Sequence, residues 1–148
     1  MWALSVAAYV AAMPLVAFYQ ARLDDEAQRS FMLLLVGPMG VLVGYLEWLA
    51  NPLIWYSWRM AKKGRWRTCA ISSLIAVGLV ASFLLRDHME WPLYERDPRP
   101  RITGHGLGFW LWLVSALSML AAAGTRYMGR RVKAGPEAPT SNNRWRGP

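Results

Sequence analysis

The sequence predicts an all-α, polytopic membrane protein, a bundle of four transmembrane helices with both termini in the cytoplasm. Three observations predict it. Four apolar runs, about 2–20, 31–50, 69–85 and 107–124, come close to the ~20 residues that carry a helix across the hydrocarbon core. None of them alternates polar and apolar residues as the strands of a membrane barrel do, and backbone polar groups in lipid are otherwise satisfied only within helices. The connections between the runs alternate in charge, which is how membrane topology is encoded.

The first run, Trp2–Gln20, lacks the positive n-region of a secretory signal peptide and is expected to be the first transmembrane helix. In the second run, Phe31–Ala50, Gly37-Pro38-Met39-Gly40 is expected to kink the helix near its outer end, because proline removes a helical hydrogen bond. Gly40 and Gly44 have the GxxxG spacing, expected to pack this helix on a neighbour of the same chain. Glu47 is the charged residue embedded in an apolar run. It follows Phe31 by about 24 Å of ideal helix, at the inner edge of the hydrocarbon. Asn51 lies one turn on and shares the polar patch. A structural pairing with Arg59, Arg65 or Arg126 on the cytoplasmic rim is expected ahead of a transport or protonation role.

Asn51–Trp58 extends the second run beyond the length needed to span. Pro52 disfavours helical geometry at Asn51, so the segment either resumes the helix after a kink or lies in the inner interface. Trp55 and Trp58 are then interfacial anchors or a docking patch for a partner. The third run, Cys69–Leu85, carries the small pair Gly78/Ser82, a further candidate for helix packing. Cys69 is the only cysteine, so no intramolecular disulfide forms, and it is expected to be a small buried residue. Palmitoylation is the lesser alternative. The fourth run, Leu107–Gly124, completes the bundle.

The sizeable external segment is the third connection. Its Asp87, His88, Glu90 and His105 lack the paired spacing of metal ligands, and the two histidines sit at helix ends, too shallow to clasp a haem. The strap Arg96-Asp-Pro-Arg-Pro-Arg101 is expected to be extended, with Arg99 and Arg101 available to a partner's outer surface. Residues 1–133 form the transmembrane domain. The tail 134–148, rich in Gly, Pro, Ser, Asn and Arg, has too little apolar surface to fold alone, and Arg144 and Trp145 are its candidate contacts.

Orientation follows from the cations. Arg59, Lys62, Lys63, Arg65 and Arg67 group with Arg126, Arg130, Arg131, Lys133, Arg144 and Arg146, eleven residues on one side. Arg22, Arg29, Arg86, Arg96, Arg99 and Arg101 make six on the other. The positive-inside rule puts the larger set in the cytoplasm. Trp2, Trp55, Trp58, Trp66 and Tyr127 fall near the inner boundary, and Tyr19, Trp91, Tyr94 and Trp110 near the outer one. The net charge of +8 sits beside apolar spans, where membrane insertion accounts for it, so nucleic acid is not expected as a partner.

No phosphate-binding loop, nucleophile elbow, zinc-protease motif or Cys-x-x-Cys is present, nor a pair of midplane carboxylates or an inverted repeat. No enzyme activity, catalytic residue, cofactor or metal is therefore expected. The expected function is a non-enzymatic accessory or assembly subunit of a larger inner-membrane complex, with lipid and other membrane subunits as partners. The alternatives are a small ion-coupled transporter that uses Glu47, and an immunity-type membrane protein. Two stretches resemble small uncharacterised bacterial inner-membrane proteins of about four helices: Glu47-Trp-Leu-Ala-Asn-Pro-Leu53, with its W-x-A-N-P-L element before a basic turn, and Ile102–Ser115, with its G-x-x-L-W-L-x-S entry to the last helix. The resemblance covers under a third of the chain. It implies a bacterial inner-membrane location and brings no activity.

Overall fold

The computed structural model describes residues 1–21, 26–42, 44–88 and 101–133. In chain order these form α1 (Trp2–Ala12), β1 (Val16–Ala21), β2 (Glu26–Arg29), α2 (Ser30–Leu42), α3 (Ala50–Lys62), α4 (Trp66–Ser82), β3 (Arg101–His105) and α5 (Leu107–Lys133). Leu46–Leu49 makes a single 3-10 turn ahead of α3, and Phe83–Leu85 another after α4. The protein is mostly helical. Two segments are long and apolar enough to cross a membrane, Trp66–Leu85 and Leu107–Gly129. A third is reached if the bent pair α2 and Leu46–Lys62 crosses as one span.

Four helices pack side by side: α1 and α4 along α5, and α3 along α4. Their order in space follows from a few contacts. Ser5 of α1 meets Ser115 of α5. The Lys62 ammonium lies 4.9 Å over the Trp2 ring, and the Arg126 guanidinium 5.8 Å over the Trp66 ring. The start of α1, the α3–α4 turn and the Arg126 part of α5 therefore share one end, and every described cation there (Arg59, Lys62, Lys63, Arg65, Arg67, Arg126) is exposed. We call this the basic end.

α1 and α4 each bury a narrow stripe made mostly of small residues. α1 buries Ser5, Ala8, Tyr9 and Ala12, and α4 buries Cys69, Ser72, Ser73, Ala76 and Val80, both at helical spacing. In lipid no hydrophobic force draws one apolar helix to another, so close packing of small residues and interhelical hydrogen bonds hold the bundle. The bonds are present. The Ser5 hydroxyl donates to the Ser115 carbonyl at 2.8 Å, and Trp58 Nε1 donates to Ser5 Oγ at 2.9 Å. One serine thus ties α1, α3 and α5 together. Cys69 is fully buried, as its size and apolarity suggested.

The other end of the bundle departs from an all-helical fold. The first apolar run does not make one helix. It stops after Ala12, ahead of Pro14, whose ring nitrogen has no hydrogen to donate to a preceding turn. Val16–Ala21 then forms the centre of a three-stranded antiparallel sheet, in the order β2-β1-β3. Tyr19 pairs with Ala27 on one side and Gly104 on the other. Phe18, 1% exposed, faces the core while Tyr19 faces out. An apolar, aromatic segment suits a strand as well as a helix; the two flanking edges decide.

The second run departs too. Pro38 lies within α2, which runs unbroken to Leu42. The sharp bend, 120°, falls between Leu42 and Leu46. Gly44 there has φ 93°, a conformation that side-chain-bearing residues avoid. The chain then re-enters the bundle as α3, with Pro52 in its first turn, where a missing N–H costs nothing. Asn51 is helical after all, and the segment resumes the helix. The bend is what lets α3, and not α2, be the bundle partner of α4; no residue of α2 is buried.

Candidate functional site

Glu47 sits in the 3-10 turn just after the bend, 8% exposed. Its sequence position suggested pairing with Arg59, Arg65 or Arg126. The fold corrects this. Glu47 Oε1 accepts from Nε of Arg86, beyond the opposite end of α4 from the basic turn. The physical reason is the bend: a straight second helix carries Glu47 inward, whereas a chain that turns back holds it at the sheet end. Arg86 is held from three sides. Its Nη2 donates to the Gly44 carbonyl at 3.3 Å, and its guanidinium lies 4.6 Å over the Tyr45 ring.

Asn51 was expected to share this patch, but its hydrogen bonds go to Trp48 and Tyr9. Its Nδ2 donates to the Trp48 carbonyl at 3.1 Å, and its Oδ1 accepts the Tyr9 hydroxyl at 2.9 Å. The Trp48 indole in turn donates to the Leu34 carbonyl of α2 at 3.1 Å. It lies so close over α2 that a Cβ at Gly37 would overlap the ring.

These residues wall a cavity of about 110 Å³. α2 forms one side with Leu33, Leu34, Val36, Gly37 and Gly40. The α1–β1 stretch gives Ala12, Met13, Ala17 and Phe18, and α5 gives Gly108, Phe109 and Trp112. Tyr45, Glu47, Trp48, Asn51 and Phe83 close the rest. Ala12, Ala17, Gly37, Gly40 and Gly108 are the smallest residues of its lining. Two buried polar atoms of its wall have no hydrogen-bond partner among the described residues, Glu47 Oε2 and Trp112 Nε1. Buried polar groups are satisfied in the great majority of cases, so two unpartnered atoms on residues that line one cavity make it the candidate site. Its lining is mostly apolar; among the described residues no group of three His, Cys, Asp or Glu gathers that could hold a metal.

The other candidate residues fall elsewhere. Gly40 faces the Tyr45 side chain, within α2's own turn, and Gly44 lies in the bend with nothing near it. Among the described residues the GxxxG pair therefore packs no helix; the left-handed φ takes Gly44 out of the helix. Gly78 is open on the outer face of α4, and Ser82 Oγ donates to the Leu79 carbonyl at 2.7 Å. Trp55 is exposed, edge-on to Tyr9 at 6.2 Å. Trp58 is turned inward, its N–H engaged by Ser5, so it is a bundle residue and not a free docking surface. Arg101 is exposed in β3, which Ile102 ties to Asp87 by a backbone bond of 2.8 Å. Arg99, Arg144 and Trp145 lie outside the described residues.

Arg86, Trp48 and Trp112 were not singled out by sequence reasoning. Arg86 is the first charge after the third run, the signal that could have offered it as a partner for Glu47. Trp48 and Trp112 lie in the stretches Glu47–Leu53 and Ile102–Ser115, and both stretches contribute to the lining of this cavity. No family model, curated protein or solved structure matches the chain.

Proposed function

We propose that this chain is a non-enzymatic accessory or assembly subunit of a larger bacterial inner-membrane complex. It is embedded as a four-helix unit with its basic end, and both termini, in the cytoplasm. The observation that carries the reading is the outer face of α4. Ile71, Leu74 and Ile75 are exposed there beside Gly78, and nothing lies within 4 Å of the place a Gly78 side chain would occupy. On the inner face the same helix uses its small residues to approach α3 and α5 closely. An open glycine notch flanked by large aliphatic residues offers another helix the same close approach. The convergence of exposed cations at one end, with Trp2 and Trp66 beside them, supports the orientation. The engagement of Glu47 by Arg86 favours this reading over a carrier that uses Glu47 as its ion site.

Purification of the tagged chain from native membranes in mild detergent tests it. A defined larger complex is the expected result, and a monodisperse monomer without a co-purifying subunit counts against it. Gly78→Leu sharpens the test. It is expected to remove the partner while shifting the chain's own thermal unfolding by no more than a surface substitution does, within about 0.5 kcal/mol, because the site is empty in the isolated chain.

A further inference from the structure

We propose that the cavity between α2 and the bundle binds a neutral amphiphile, an apolar tail or ring headed by a hydroxyl group. A cavity of about 110 Å³ is on the scale of the ~150 Å³ hollow that holds benzene in another protein. Its walls are otherwise apolar, with Leu33, Leu34, Phe18 and Phe109 among them. Such a space takes hydrocarbon in preference to water. α2, without a single buried residue, forms the side through which a lipid-like molecule enters.

The polar atoms then choose the head group. Glu47 Oε1 is taken by Arg86, leaving Oε2 to accept one more hydrogen, while Trp112 Nε1 has one hydrogen to give. Both atoms are buried, so the head group reaches them after a small shift of the two side chains. A hydroxyl serves either atom, since it can donate to Oε2 or accept from Nε1. A charged head group fits poorly. The Glu47–Arg86 pair is already balanced, and a further charge in an apolar hollow has no partner to offset its desolvation. The proposal is independent of whether the chain joins a complex.

The experiment uses the full chain in detergent micelles and 4-bromobenzyl alcohol, a probe near the size of benzene whose bromine quenches tryptophan on contact. Trp48 and Trp112 line the cavity, against nine tryptophans in all. The expected result is a saturable quenching component, reversed by benzyl alcohol but not by toluene or benzoate. Trp112→Phe keeps the ring and removes the N–H, so the affinity of benzyl alcohol, read by its competition with the brominated probe, should fall about five-fold. Glu47→Gln leaves the Arg86 charge unbalanced, so preference should move toward the benzoate head, a reversal that mere loosening of the fold does not produce. Quenching that rises linearly with probe, equally for all head groups, would show bulk partitioning and overturn the proposal. An unchanged competition constant in Trp112→Phe, together with no head-group reversal in Glu47→Gln, would overturn it as well.

Discussion

Glu47 and Arg86 together are the sharpest feature at the scale of single residues. The carboxylate is buried, and the guanidinium, 33% exposed, reaches it from the rim. Removing one member of such a pair strands the other, so Arg86→Ala is expected to lower stability in detergent by about 1–3 kcal/mol. Arg86→Lys should recover only part of this. A lysine keeps the charge but loses the flat fork that serves Glu47, the Gly44 carbonyl and the Tyr45 face together. Thermal unfolding of the three proteins in one detergent checks the order; equal stability of the Lys variant and the native chain would contradict it. Glu47 itself was legible as an exceptional residue, because a carboxylate in an apolar run always needs an explanation. Its partner was not legible, since four basic segments were on offer and the choice depends on the path of the backbone.

Among the elements, the bend after α2 decides most. Gly44 permits it by adopting φ 93°, and Gly37 lets the Trp48 ring lie against α2. Gly44→Ala is expected to cost about 1–2 kcal/mol, the price of a left-handed conformation with a Cβ. Gly37→Ala should displace Trp48 and break its bond to the Leu34 carbonyl. Blue-shifted or quenched tryptophan emission would therefore change in Gly37→Ala, while Gly78→Leu, with open space around it, leaves emission unaltered. The spans α4 and α5 were readable from length and composition, because a long apolar helix needs no tertiary help to satisfy its backbone in lipid. The end of α1 and the strand β1 were not. Both helix and strand suit Val16-Ala-Phe-Tyr-Gln-Ala21, and only pairing with Glu26–Arg29 and Arg101–His105 settles the choice.

For the whole molecule, the polarity of its two ends is the organising fact. One end gathers six exposed described cations, the other the sheet, the Glu47–Arg86 pair and the cavity. If the basic end faces the cytoplasm, a reporter active only in the cytoplasm should work when fused after Lys133, and one that matures only outside should fail there. The opposite pattern would reverse the orientation. By itself the sequence determined that the chain is mostly helical, that its cations segregate, and that Glu47 is an exceptional residue of its run. Those are properties of composition and of local sequence, which need no distant contact. Only the tertiary structure decided that the bundle is built from α1, α3, α4 and α5, that Arg86 is the partner of Glu47, and that a cavity remains beside them. Each of these rests on where a single bend at Gly44 sends the chain, and a bend of that size reorders every contact beyond it while leaving the hydropathy of the run unchanged.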